Sequence, residues 1–253
     1  MAIKKIYLDA GHGGKDPGAV KYVKESEVAI KVVKYMYNYL NNNYICTVYK
    51  DISDDNLNTI CNRANGWGAN LFVSIHFNAG GGDGFEALVY GSSNRKLGKI
   101  FEKHANAVGQ NSHGADGVKY RPELAVLRLT KMPSVLNEIA FVDNKKDIED
   151  WNDDAELKVM GEAMAKAAAE YLNLPLKKGG LIDCPDFKVK VVSKTLKVRQ
   201  KPSTTGKQIG TLKKDEVYTI IKTTTDGKWG LLKNGPVEGS SYISLNAKYA
   251  KKL

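Results

Sequence analysis

The feature that most constrains this chain is an apolar segment near its start that ends in glycines and a histidine. Residues 3–8 are typical of a buried strand, and the run Asp9-Ala10-Gly11-His12-Gly13-Gly14 breaks that strand abruptly. Glycine permits tight turns that other residues resist. The pattern therefore predicts a strand followed by a turn that carries His12, at the kind of position where α/β proteins bind ligands.

Two later apolar segments also carry a polar side chain near their ends. Residues 70–79 contain His76 just before a glycine run, and residues 132–141 contain Glu138. A carboxylate among apolar residues is costly unless something compensates it. Because the carboxyl ends of parallel strands meet at one edge of a sheet, we expect His12, His76 and Glu138 to lie close together.

Segments with helical periodicity lie between and after these strands. Apolar residues recur at helical spacing in four segments, 25–42, 55–68, 95–108 and 153–172. Residues 124–129 are expected to be extended. Strands that alternate with helices predict an α/β fold with a mostly parallel, twisted sheet and helices on both faces.

The pattern changes near residue 175. Residues 174–183 contain proline, paired lysines and paired glycines without periodicity, which predicts a linker at 175–183 after a first domain at 1–174. Residues 184–253 contain short strands separated by turn signals, which predict a small all-β barrel.

Charge is distributed unevenly between the two predicted domains. Residues 1–183 hold 23 basic and 23 acidic residues, whereas residues 184–253 hold 15 basic and 5 acidic residues, a net charge of +10. This division suggests a neutral working domain and a basic domain that finds an anionic surface. The chain has no apolar run long enough to cross a bilayer and no signal-peptide core, which predicts a protein made in the cytoplasm without an export signal of its own.

Two histidines and a carboxylate form a donor set that suits a catalytic Zn²⁺ ion, with three protein ligands and one open position. Glu27, near the start of the first helix, and Glu138 are the candidate carboxylates. One would complete the metal site and the other would carry protons. Spacing alone leaves the assignment open, because the helix dipole gives Glu27 a structural reason to be there.

Several sequence blocks resemble the zinc-dependent N-acetylmuramoyl-L-alanine amidases of the type 3 family. The blocks are DAGHGGKDPGA (9–19), Glu27 at a helix start, SIHFNA (74–79), AVLRLTKMPSVLNE (125–138) and FVDN (141–144). The resemblance implies that His12, Glu27 and His76 bind Zn²⁺ and that Glu138 is the catalytic general acid and base. It also implies cleavage of the amide between N-acetylmuramic acid and L-alanine in peptidoglycan.

The last domain is similar to bacterial SH3 domains, chiefly through the blocks at 196–203 and 209–214. That similarity implies a module that binds a cell-wall polymer or peptide. The whole arrangement resembles a phage endolysin of a Gram-positive, clostridial-like host, which acts on the wall after release from the cytoplasm.

Three alternatives remain at this point. A host autolysin or sporulation amidase would share the chemistry, and a wall-binding protein could carry an inactive amidase fold. A basic SH3-like barrel also fits a nucleic-acid-binding protein, although that function leaves the histidines and glutamates without a role. The expected partners are peptidoglycan and a wall ligand, without nucleic acid or membrane.

Overall fold

The computed structural model describes residues 2–53, 55–177 and 180–253. Its contacts divide the chain into two compact units, Met1–Pro175 and Leu176–Leu253. Part of the predicted linker is strand, because residues 181–183 begin β7 (Leu181–Val191). Two other linker residues, Lys178 and Gly179, lie outside the described residues.

A six-stranded sheet forms the centre of the first unit, in the order β2-β1-β3-β6-β4-β5. Every neighbouring pair is parallel except β4 with β6. This parallel-rich sheet confirms the mixed α/β prediction. The strands are β1 (Lys4–Ala10), β2 (Cys46–Asp51), β3 (Leu71–Asn78), β4 (Glu86–Val89), β5 (Val118–Tyr120) and β6 (Ser134–Phe141).

Helices cover both faces of this sheet. Alternate residues of β1 show why: Ile6 and Leu8 join one buried cluster with α1, α3 and α6, whereas Tyr7 joins a second cluster with α2 and α4. Side chains of a strand point alternately to opposite faces, so one strand serves both clusters. The helices are α1 (Glu25–Asn43), α2 (Leu57–Trp67), α3 (Arg95–Asn106), α4 (Ala125–Arg128), α5 (Lys145–Glu149) and α6 (Asp154–Leu172). None of the helices in the described part of the chain has the length and apolar character needed to span a membrane.

One element differs from the sequence-based expectation. The segment predicted to be extended, 124–129, forms the single helical turn α4, in which Leu129 donates its amide to the Ala125 carbonyl at 2.8 Å. Val126 and Leu127 are both buried in the cluster beneath α2. A single turn is too short to show helical periodicity, and two adjacent apolar residues are equally compatible with a helix and with a strand.

A buried polar network ties β1 and β2 to α2. The Tyr7 hydroxyl and the Arg63 guanidinium both donate to the Asp51 carboxylate, and Ser53 Oγ donates to it at 2.6 Å. Burial alone would raise the pKa of Asp51, but these donors outweigh burial and lower it. Arg63, which also bonds Asp55, thus has a structural role in this network.

Arg63→Met is expected to lower the free energy of unfolding by about 1–3 kcal/mol, because the buried Asp51 carboxylate loses a charged donor. Urea unfolding followed by tryptophan fluorescence measures the change. Arg121→Met is the matched control, since Arg121 and Glu123 form an exposed pair, and it should change stability by less than about 0.5 kcal/mol. Equal losses in the two variants would contradict a structural role for the network.

The second unit is an all-β, seven-stranded antiparallel sheet in the order β13-β7-β10-β11-β12-β8-β9. Its buried side is apolar, with Val189, Val198, Ile220 and Ile243 at its centre. The remaining strands are β8 (Thr195–Arg199), β9 (Gln208–Lys213), β10 (Val217–Thr224), β11 (Trp229–Leu232), β12 (Tyr242–Ser244) and β13 (Ala250–Lys252).

Candidate active site

Sheet topology brings three of the four predicted site residues to one edge. His12 follows β1, His76 lies near the end of β3, and β1 and β3 are parallel neighbours. Glu138 lies on β6, where it is the register partner of His76. The rings of His12 and His76 are 5.1 Å apart between centroids.

The turn after β1 places His12 through unusual backbone angles. His12 itself has a φ of 61°, which is uncommon outside glycine. Gly11 before it donates its amide to the Ile75 carbonyl at 2.8 Å, which fastens the turn to β3. A Cβ at Gly11 would lie 2.2 Å from the His76 ring, so only glycine leaves room for that imidazole.

Gly11→Ala should therefore displace the His76 ring, and we expect it to weaken Zn²⁺ binding at the site predicted from the sequence by about 10–100-fold, the effect typical of disturbing a ligand's support. Metal titration with a competing chelator measures the affinity. Gly66→Ala is the control, because nothing lies within 4 Å of a Cβ at that helical position. The control should keep its affinity and gain about 0.5–1 kcal/mol of stability. Unchanged affinity in Gly11→Ala would show that this close contact does not matter.

Glu25, the first residue of α1, is the carboxylate that meets both histidines. Its Oε1 lies 2.9 Å from His76 Nδ1 and 3.2 Å from His12 Nε2. Backbone amides hold the same carboxylate, since Phe77 donates to Oε1 at 3.1 Å and Ala19 to Oε2 at 2.9 Å. The start of α1 is thereby fixed to β3 and to the loop that precedes the helix.

The structure does not bring Glu27, the carboxylate predicted from the sequence to join the histidines, close to them. Its side chain is 67% exposed and pairs with Lys24 at 3.2 Å, whereas the Glu25 side chain is 5% exposed. Two residues along a helix correspond to a rotation of about 200°, so Glu25 and Glu27 point to nearly opposite sides.

Helical periodicity could have identified Glu25. Val28, Ala29 and Val32 are all buried on the inner face of α1, and Glu25 precedes them by three, four and seven residues. These are the spacings of residues that share one face of a helix. Glu27 does not belong to that series.

The charges of the three groups depend on one another. Burial alone would raise the pKa of Glu25, but hydrogen bonds from His12 and His76 lower it strongly. The hydrogen bond to Glu25 raises the pKa of His12 to about 9. Burial opposes protonation of His76, yet its contact with Glu25 and the nearby carboxylates still raise its pKa.

A second carboxylate orients His12. Asp16 Oδ2 lies 2.8 Å from His12 Nδ1, and Asp16 Oδ1 accepts the Gly18 amide at 3.0 Å. Such a partner on the far ring nitrogen fixes the tautomer and orientation of a metal-ligating histidine.

The donor set fits a zinc ion. One donor atom each from His12, Glu25 and His76 lies within 4.8 Å of the other two. Two imidazoles and one carboxylate are ligands that zinc accepts, and three protein ligands are typical of a catalytic rather than a structural zinc site.

Glu138 is a buried carboxylate beside this group. Its Oε2 has no hydrogen-bond partner among the described residues. Burial raises the pKa of Glu138 to about 7, with His76 acting in the opposite direction and Glu25 and Glu86 adding to the rise. A carboxyl group with a pKa near neutrality can both accept and donate a proton at physiological pH.

A groove of about 470 Å³ opens over the site. His12 and His76 lie in one wall together with Asp9, a buried carboxylate to which Ser74 Oγ donates at 2.6 Å. The rest of the lining includes four polar residues, Asp16, Ser53, Asp55 and Asn56. An apolar part of the wall is formed in and next to α2, α4 and β6 by Leu57, Ile60, Leu124, Ala125, Val126 and Leu136. The groove therefore gives a ligand access to the two histidines.

Comparison with known proteins identifies the family. Residues 6–170 match the N-acetylmuramoyl-L-alanine amidase family. The chain belongs to this family. The amidase is 34% identical to the endolysin of Bacillus phage SPP1, over 97% of each chain. It is also 34% identical to the N-acetylmuramoyl-L-alanine amidase CwlM of Bacillus licheniformis, over 67% of this chain and 69% of that protein.

A solved structure agrees with the fold of the first unit. The catalytic domain of CwlV, an N-acetylmuramoyl-L-alanine amidase from Bacillus (Paenibacillus) polymyxa, matches with a TM-score of 0.63 at 27% identity. The match covers 68% of the amidase and 100% of the CwlV domain. The enzyme is accordingly a peptidoglycan amidase, as the sequence blocks predict.

Proposed function

We propose that the amidase is a zinc-dependent endolysin in which His12, Glu25 and His76 hold Zn²⁺ and Glu138 moves the proton. The proposed reaction is hydrolysis of the amide between N-acetylmuramic acid and L-alanine. The observation that carries this proposal is the convergence of three metal-type donors beside an unpaired, buried carboxylate.

Bound Zn²⁺ would polarise the amide carbonyl and lower the pKa of a water molecule. Glu138 accepts a proton from the attacking water and later donates it to the leaving L-alanine nitrogen. The raised pKa of Glu138 suits both steps, since neither protonation state is strongly disfavoured near neutrality. Asp16 keeps the His12 ring in the orientation that presents Nε2 to the site. The apolar wall of the groove excludes water from one side of the substrate.

The endolysin assignment is supported by how much of the chain each relative matches. The phage SPP1 endolysin aligns with nearly the whole chain, both units included. The Bacillus licheniformis amidase matches only about the length of the first unit. A host autolysin with the same chemistry is therefore the less favoured role.

The second unit is proposed to be an SH3-type module that holds the enzyme on the wall. Its antiparallel β-structure, its sequence blocks at 196–203 and 209–214 and its positive charge support this role. Attachment to the wall raises the local concentration of substrate around the first unit.

Digestion of purified Gram-positive cell walls by the zinc-loaded chain tests the reaction. The expected products are new N-terminal L-alanine residues without new reducing sugar ends, because an amide and not a glycosidic bond is cut. Reducing ends without N-terminal alanine would contradict the proposed bond. Full activity after removal of all divalent metal by a chelator would contradict the zinc proposal.

A further inference from the structure

The second unit contains a long stretch without a single acidic residue. Residues 187–214 hold nine lysine and arginine residues and no aspartate or glutamate. The segment 194–214, here called the basic hairpin, comprises β8, β9 and the loop between them. The basic hairpin holds seven of the fifteen lysine and arginine residues in 184–253 and no acidic residue.

The basic hairpin points its cations outward. Leu196, Val198 and Leu212 are buried in the core of the unit. The alternate residues Lys197 and Lys213 are exposed, as β-strand geometry requires when one face is packed. Four further exposed lysines lie in the turns and the loop: Lys194, Lys201, Lys207 and Lys214.

Acidic partners lie close to four lysines elsewhere in this unit, whereas the nearest acidic residues in sequence to the basic hairpin, Asp215 and Glu216, follow its last lysine. Lys190, Lys222, Lys228 and Lys233 each lie within 4.0 Å of an aspartate oxygen. Among the described residues, no carboxylate forms an ion pair with a lysine of the basic hairpin. Its charge is therefore available to an external anion.

Protection of a sheet edge does not account for this arrangement. β9 is an edge strand, and lysines on edge strands prevent strand-to-strand aggregation. However, Lys201 and Lys207 lie in the loop, where there is no ladder to protect. The Arg199 guanidinium donates to the Gly206 carbonyl at 2.7 Å and curls this loop around a hollow of about 460 Å³. Lys201, Ser203, Thr205 and Lys207 line that hollow with hydrogen-bond donors suited to phosphate oxygens.

We propose that the basic hairpin binds an anionic phosphodiester polymer of the cell wall, of the poly(glycerol phosphate) type. The proposal rests on the proposed wall-binding role of the second unit. Residues 194–214 contain no aromatic residue, and proteins that bind single-stranded nucleic acids stack the bases on aromatic side chains. A phosphodiester chain without bases therefore fits this surface better than a nucleic acid does.

Binding of the full chain to poly(glycerol phosphate) tests the proposal, with two triple variants of equal charge. The hairpin variant is K197Q/K207Q/K213Q. The control is K188Q/K248Q/K251Q, three exposed lysines outside the basic hairpin, of which Lys251 lies on β13 at the opposite edge of the sheet.

We expect the hairpin variant to bind about tenfold more weakly, and the control less than about twofold more weakly. Each phosphate neutralised on a flexible single chain contributes about 0.7 to the slope of log K against log salt. The hairpin variant should therefore lose about 2 from that slope. Walls stripped of phosphodiester polymer by hydrofluoric acid should bind wild type and the hairpin variant equally.

Equal weakening in the two variants would overturn the proposal, because net charge alone would then explain binding. Tighter hairpin-dependent binding to a single-stranded oligonucleotide of equal charge would overturn it in favour of nucleic acid. Hydrolysis of a soluble muropeptide should be unchanged in both variants. If the wild type does not hydrolyse the soluble muropeptide, the proposed reaction is contradicted. Failure of the proposed reaction can therefore be told apart from failure of the proposed polymer binding.

Discussion

Glu138→Gln is expected to lower the rate of wall hydrolysis by about 10²–10⁴-fold, the range typical of removing a general acid or base. Glutamine has nearly the same shape but cannot accept and return a proton. The three metal-type donors come from other residues, so the variant should still bind about one zinc ion per chain. Release of N-terminal L-alanine measures the rate, and atomic absorption measures the metal.

Stability separates a chemical effect from a folding defect in this variant. Burial opposes ionisation of Glu138, so a neutral glutamine at this position should not lower the midpoint of thermal unfolding. A variant that still hydrolyses walls at the wild-type rate would remove Glu138 from the mechanism. A variant that loses both zinc and rate would make Glu138 part of the metal site instead.

Glu25→Gln and Glu27→Gln should differ sharply although the two positions are neighbours on one helix. The first replaces a buried carboxylate that contacts both histidines, and the second replaces an exposed one. We expect Glu25→Gln to weaken zinc binding by at least about a hundredfold and to abolish hydrolysis, since a neutral amide is a poor zinc ligand. Glu27→Gln should match wild type in both measurements.

A second measurement shows whether Glu25→Gln causes local unfolding. The Glu25 carboxylate also accepts the Ala19 and Phe77 amides, and a glutamine carbonyl can keep one of these bonds. Hydrogen exchange at Phe77 in Glu25→Gln reports whether the anchor between α1 and β3 survives. Zinc loss in Glu27→Gln with retention in Glu25→Gln would reverse the assignment made from the geometry.

Much of the fold could be predicted from the sequence, because the local hydrophobic patterns agree with the tertiary structure. Residues 71–75 are apolar except for Ser74 because β3 is covered on both faces, and such a run predicts a central parallel strand. The short helix α4 is harder to predict from the sequence. α4 has too few residues to display a period.

The site could be predicted only in part. His12, His76 and Glu138 follow from strand ends, because a parallel sheet brings such ends together whatever the sequence separation. Glu25 depends on the rotation of α1 about its axis, which only the apolar series at Val28, Ala29 and Val32 reveals. Resemblance to a family does not fix that rotation when two glutamates lie two residues apart.

Two residues of the proposed site, His76 and Glu138, lie on adjacent strands in the middle of the first unit's sheet. The backbone hydrogen bonds between these two strands set the distance between His76 and Glu138, and the segments that connect the strands do not affect it. Substrate preference could accordingly be re-engineered by exchanging the α4 segment, which lines the groove, while the chemistry stays in place. Chimeric enzymes that carry another α4 segment, with its buried positions Val126 and Leu127 kept, would measure how far this segment sets substrate preference.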